Sequence, residues 1–197
     1  LGMYYREYIT AFDWEHNGEG YAAFMLLPLA DPHNPRTRKR IVRFADFYTG
    51  RDTSVHNYDS SHKIIKSILN GSRGARLEAT PEYWGARPGQ DYFITSGDWT
   101  PVKGDVPLNM HATTLAVNAW ILTGDSHYRE WALEYLGAWR KRAESNNGIV
   151  PSIIGLDGTI GGGWNGEWWG GLMGWDWVFG GWGVLGRGVR VGFTNGY

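Results

Sequence analysis

Two stretches of the chain are apolar on almost every side, and each is followed by a stretch that is apolar on one side only. Asn109 to Thr123 (NMHATTLAVNAWILT) carries Met110, Leu115, Val117, Ala119, Trp120, Ile121 and Leu122. That spacing leaves no continuous polar face and predicts a helix buried all round. Ser126 to Asn146 follows, with Tyr128, Trp131, Ala132, Tyr135, Leu136 and Trp139 at helical spacing and Arg129, Glu130, Glu134, Arg140, Lys141 and Arg142 on the opposite, solvated side. Gly124 suits a left-handed helix end, Asp125 or Ser126 a helix start, and Asn147-Gly148 a stop. The prediction is a helical hairpin with a buried inner member and a half-exposed outer one.

The earlier pair has the same pattern. Gly20 to Ala30 (GYAAFMLLPLA) is apolar all round and is kinked or shortened by Pro28. Arg36 to Thr49 places Ile41, Phe44, Ala45 and Tyr48 on one side, and Asp31-Pro32-His33-Asn34-Pro35 supplies the turn between the two. A further helix is predicted over Asp59 to Leu69 from Ile64, Ile65, Ile68 and Leu69, ending at Asn70-Gly71. Residues 71–108, with four prolines, read as a long loop holding one short strand at Tyr92 to Thr95. Loops of this length in compact domains are usually functional.

A repeat ties these parts together. Asp-Trp occurs at Asp13-Trp14, Asp98-Trp99 and Asp176-Trp177, spaced 85 and 78 residues apart. Eleven residues after Asp98 the middle inner helix starts at Asn109; eleven after Asp176 another apolar stretch starts at Arg187 (RGVRVGFTNGY). On that alignment the sequence stops inside an inner helix, so the chain is expected to be one domain, residues 1–197, cut from a larger one. Inner apolar helices alternating with amphipathic outer ones, joined by short turns at one end and long loops at the other, build a curved double layer. The predicted fold class is all-α, a partial (α/α) toroid.

Composition narrows the chemistry. The 197 residues include 29 Gly, 12 Trp and no Cys, with 19 basic against 20 acidic side chains. A net charge of -1 lacks the basic footprint of a nucleic-acid binder. The absence of cysteine excludes disulfides, thiolate metal sites and thiol nucleophiles. No run of about 18 apolar residues is present, so no membrane span is expected. The opening Leu1-Gly2-Met3 shows no signal peptide. An aromatic excess on a neutral chain suits ligands such as sugars, whose C–H faces stack on indole. An aromatic core explains part of the same excess.

From the Asp98-Trp99 loop through Asn109 to Gly148 and on to Ile149-Val150-Pro151, the chain resembles a hairpin of the α/α-toroid carbohydrate-active enzymes, the group of six-hairpin glycosidases and toroidal polysaccharide lyases. The resemblance extends over residues 9–50 and 96–197 and rests on pattern. It implies cleavage of a polysaccharide or oligosaccharide by hydrolysis or by elimination, without a cofactor. An extracellular or periplasmic setting follows from that substrate class alone.

Candidate residues follow from where the long loops converge. In each Asp-Trp pair the carboxylate accepts sugar hydroxyls beside a stacking face; the competing reading is a capped turn with Trp plugging the core. Asp13, Trp14, Glu15, His16 and Glu19 form the densest polar cluster, offering an acid, a base or simple helix capping. Hydrolysis requires two opposed carboxylates, drawn from Asp13, Glu15, Asp98, Asp176 and Glu167. Elimination requires a neutraliser and a base, for which Asn109, His111 and His16 are candidates. Trp99, Trp168 and Trp177 are further sugar platforms, and the glycine-rich segment from Gly155 to Gly188 reads as a substrate-covering loop.

His56-Asn57-Tyr58-Asp59 with His62 offers a base and a phenol, or merely a capped helix start. Asn70-Gly71-Ser72 fits a glycosylation sequon. No zinc-helix spacing, phosphate-binding loop or nucleophile elbow is present, so no metal is expected. The alternative from another class is a saccharide-binding or helical scaffold protein without catalysis.

Overall fold

The computed structural model describes residues 30–68, 70–72, 74, 75, 77, 103–170, 174, 175 and 181–197, with the side chains of 181–185 excepted. About half of these residues are helical. In chain order they form α1 (Pro35–Thr49), β1 (Tyr58–Asp59), β2 (Ile64–Ile65), β3 (Gly104–Asp105), a 3-10 helix (Pro107–His111), α2 (Ala112–Thr123), α3 (Ser126–Ser145), β4 (Ile154–Gly155) and α4 (Gly181–Gly196). The helical part of the expected fold class holds, but the domain is not purely α. Two small antiparallel sheets are present, β1 with β2 and β3 with β4.

The helix ends follow the sequence signals. Asn34 starts α1 by accepting the backbone N–H groups of Arg36 and Thr37, with Pro35 in the first turn, and Gly50 ends it at φ 79°. Thr37, Ile41, Phe44, Ala45 and Tyr48 form its buried stripe. Gly124, at φ 72°, closes α2, and Asp125 opens α3 by accepting the N–H of His127. Tyr128, Trp131, Ala132, Tyr135, Leu136 and Trp139 are buried, as the amphipathic pattern requires. Each fully buried large apolar side chain contributes roughly 1.5–3 kcal/mol, so these stripes dominate the packing.

Four expectations are corrected. The inner helix over Asn109 to Thr123 begins as a 3-10 turn from Pro107 and becomes α-helical only at Ala112. It is not buried all round, because Trp120 and Ile121 near its end are 38% and 55% exposed, Trp120 lying under the Arg129 guanidinium. The helix over Asp59 to Leu69 is instead the β1–β2 hairpin, pairing Tyr58 with Ile65 and Asp59 with Ile64. There the Asp59 carboxylate accepts the N–H groups of Ser61 and His62, and Lys63 sits at φ 57°. A side chain that caps its own downstream backbone competes with helix formation, and the isoleucines then fit a short buried strand. The fourth correction concerns the last apolar stretch, whose helix is already under way at Gly181, before Arg187.

The last helix is held by close backbone approach. A Cβ at Gly188 would lie 2.1 Å from the Pro107 carbonyl oxygen, one at Gly192 2.7 Å from Met110 Cβ, and one at Gly196 2.8 Å from Leu136 Cδ1. Asn195 Nδ2 donates to Thr113 Oγ1 (2.9 Å) and Thr114 Oγ1 (3.0 Å). These contacts advance along both segments in the same direction, so α4 runs parallel to the 3-10 helix and α2. The i, i+4, i+8 glycines form one smooth stripe that allows this proximity.

Beneath the hairpin, Asp105 is fully buried and joins four elements. It accepts hydrogen bonds from Asn109 Nδ2 (2.9 Å), Tyr135 OH (3.1 Å) and the Ile65 N–H (3.0 Å). Burial pushes its carboxyl up to about 7, against the lowering effect of those donors.

Candidate functional site

A cleft of about 520 Å³ opens between the end of α1, residues 50–63 and the first half of α3. Its position follows from how α1 meets α3. The His127 ring donates from Nε2 to the Thr49 carbonyl (2.9 Å), Tyr128 OH donates to Asp46 (2.8 Å), and Arg51 pairs with Asp125. The β1–β2 turn is tied to α3 by Arg142, which donates to the carbonyls of His62 and Lys63. The segment between these anchors supplies one wall of the opening and α3 the other.

Glu134, on the exposed side of α3, lines the cleft. Its Oε1 accepts Tyr58 OH at 3.1 Å, and its Oε2 faces Lys63 Nζ at 3.1 Å. Burial, and then the Glu134 charge, push the Tyr58 phenol well above its ordinary range, so it stays protonated and donates. Glu130, one turn earlier, and Asp52 also line the cleft, as do His56 and His127. Aromatic surface comes from the half-buried Tyr58, whose ring meets the buried Trp131 edge to face at 5.4 Å. Trp131 stacks on Tyr135 at 5.4 Å, and its indole N–H has no hydrogen-bond partner among the described residues.

On the rim, Asp59 accepts from Ser61 Oγ (2.6 Å) and is paired with His62 Nδ1 (2.9 Å). Burial opposes the Asp59 charge, but the hydrogen bonds from Ser61 and His62 outweigh it and hold the carboxyl well below the usual range.

Over residues 1–93 and 100–197 the chain matches the family described as Domain of unknown function (DUF8034). The chain belongs to that family. No curated protein matches it, and no solved structure does.

Of the thirteen catalytic and sugar-binding candidates that the Asp-Trp loops, inner-helix starts and glycine-rich segment supply in this DUF8034 domain, four lie among the described residues. Asn109 is fully buried, donating to Asp105 and to the Ser67 carbonyl (3.3 Å). His111 is 1% exposed, and burial lowers its pKa to about 4, against a backbone hydrogen bond with Leu108 that raises it. As placed, both are reached only by opening the core. Glu167 is exposed and Trp168 half-buried. They sit on tight turns pinned to the core strand by Ser152, whose N–H donates to the Trp168 carbonyl (2.7 Å) and whose hydroxyl donates to that of Trp169 (2.9 Å). The described part of the glycine-rich segment is therefore fastened down. Asp13, Trp14, Glu15, His16, Glu19, Asp98, Trp99, Asp176 and Trp177 lie outside the described residues, as do Gly20 to Leu29 and the strand expected at Tyr92 to Thr95.

The cleft itself was mostly missed. The solvated helix face expected at Glu130 and Glu134 and the core position of Trp131 both hold, so neither marks a cleft, and the base-and-phenol pattern at His56 and Tyr58 is what points there. The available signal was the i, i+4 carboxylate pair flanking a tryptophan. Asn70, the sequon asparagine, is 3% exposed, accepts Tyr48 OH and donates to the Ser67 carbonyl (2.6 Å). Among the described residues no group of three or more His, Asp or Glu could hold a metal, and no helix is long and apolar enough to cross a membrane.

Proposed function

We propose that this domain is a carbohydrate-active enzyme and that a sugar sits in the cleft between α1 and α3. The observation that carries the reading is the meeting, in one open cleft, of the half-buried Tyr58 ring, backed by the buried Trp131, with the carboxylates of Asp52, Glu130 and Glu134. Sugars offer C–H faces to aromatic rings and hydroxyls to carboxylates. An ionised carboxylate has about four lone-pair positions. Tyr58 and Lys63 engage one position on each oxygen of Glu134, fixing the group while leaving acceptor capacity for a ligand.

The architecture supports the same reading. Helices α2 and α4 run parallel as neighbours, and α3 returns along them, which is how successive hairpins sit in an (α/α) toroid. In this reading the domain is part of such a toroid and cleaves a polysaccharide or oligosaccharide, in an extracellular or periplasmic setting. Asp52, on the segment after α1, and Glu130, on α3, line the cleft from different elements and are the acid and base candidates. A non-catalytic saccharide-binding role is favoured by one observation, the engagement of both Glu134 oxygens.

Incubating the full chain with neutral, amino and uronic oligosaccharides tests the proposal. New reducing ends without unsaturated product identify a hydrolase, and ultraviolet absorbance of an unsaturated uronate identifies a lyase. Binding with no product identifies a binding module, and absence of binding to every sugar discards the saccharide reading.

A further inference from the structure

We infer that the cleft selects uncharged or amino-bearing glycans and rejects uronates, so that any bond cleavage there is hydrolysis rather than elimination. The inference rests on the saccharide reading above and specifies its substrate class. Among the described lining residues Asp52, Glu130 and Glu134 face a single cation, Lys63, and Lys63 is already paired with Glu134 at 3.1 Å. The two lining histidines do not reverse this balance when neutral. His127 spends its Nε2–H on the Thr49 carbonyl, which leaves Nδ1 an acceptor.

The wall therefore carries more negative than positive charge, its hydroxyls at Thr49, Thr53 and Ser60 being neutral groups. Hydroxyl and ammonium groups satisfy such a wall. A uronate carboxylate would meet like charges, with the lining cation Lys63 already paired to Glu134. Elimination also needs donors that neutralise the uronate, and Asn109 and His111 are committed to the interior, 0% and 1% exposed. Hydrolysis has no such requirement. The water oxygen bonds to the anomeric carbon and the glycosidic C–O bond breaks. The departing oxygen takes a proton from a carboxylic acid, and the water gives one to a carboxylate.

The test titrates the 197-residue chain with hexamers of glucose, glucosamine and galacturonate at low salt and neutral pH. The glucose and glucosamine hexamers are expected to bind at least about tenfold more tightly than the galacturonate hexamer, with the glucosamine preference weakening as salt is added. In Glu130→Gln and in Asp52→Asn the glucosamine-to-galacturonate affinity ratio is expected to fall severalfold, with circular dichroism confirming the fold of each variant. Equal or tighter galacturonate binding, or an unsaturated product, overturns this inference while leaving the saccharide reading in place. An unchanged ratio in both folded variants also overturns it. Failure of all three hexamers to bind removes the saccharide reading itself.

Discussion

The two sides of the α2–α3 hairpin are joined to their neighbours in opposite ways. Toward α1, α2 packs closely, but α3 is joined by side chains that reach across a gap: Tyr128 to Asp46, His127 to Thr49 and Arg51 to Asp125. Toward α4, the gap closes at the 3-10 helix, because Gly188 and Gly192 bring one backbone against Pro107, Leu108 and Met110, while Gly196 meets Leu136 of α3. Spanning contacts leave room between them, and the cleft occupies that room. Where Gly188 meets Pro107 no such room is left, and the opening on that side, about 510 Å³, lies farther along, between α3 and the end of α4. The same hairpin thus presents one adaptable polar face and one face of fixed separation.

The largest effect is expected where the fixed face is forced apart. Gly188→Ala places a methyl group 2.1 Å from a backbone oxygen that has no rotamer by which to yield, so unfolding free energy should drop by about 3 kcal/mol or more in denaturant titration. Gly186→Ala, with open space around it on the same helix, should instead gain about 0.5–1 kcal/mol from helix propensity. Equal effects at both positions would erase the distinction between the two faces.

The next effect lies under the hairpin and is revealed by pH. The Asp105 carboxyl is raised from 3.8 to about 7, so its stabilisation is complete below pH 3.8 and is lost as pH rises toward 7. The His111 ring is lowered from 6.5 to about 4, so its contribution is complete above pH 6.5 and is lost as pH falls toward 4. Each is on the order of 3 kcal/mol, and they oppose one another over the same window. Stability of the native sequence should vary little between pH 4 and 7 from these two groups. Asp105→Asn should make it rise with pH, and His111→Gln should make it fall. Thermal melts across that range decide the matter.

Smaller effects belong to the adaptable face. Tyr58→Phe removes the bond to Glu134 but keeps the ring against Trp131 and Tyr135, so it should cost about 1 kcal/mol in a urea titration and weaken sugar binding severalfold. Arg51→Ala breaks an exposed pair with Asp125 and a contact over the Tyr128 ring. Its cost should stay below about 1 kcal/mol by the same measurement.

The chain's pattern displayed its helices better than its cleft, for identifiable reasons. Helices α1 and α3 are legible because Asn34, Gly50, Asp125 and Gly124 mark their ends and a single buried stripe runs along each. The β1–β2 hairpin is not, since Ile64 and Ile65 form too short an apolar run to separate two periodicities, and the deciding groups are Asp59 and the left-handed Lys63. The start of α4 is hidden by glycines that propensity assigns to a loop; their spacing at 188, 192 and 196 was nevertheless present in the sequence. Glu130, Glu134 and Tyr58 are brought together by a turn anchored through Arg142, a tertiary relation with no local trace.

Asn70 illustrates what a sealed hydrogen-bonded corner imposes on the history of a polypeptide. Its amide lies behind Tyr48 and the Ser67 carbonyl, so an enzyme that modifies Asn-Gly-Ser can reach it only before that corner shuts. In a eukaryotic secretory host, occupancy at this position would therefore clock how quickly the chain matures, and every molecule so decorated would be barred from the arrangement described above.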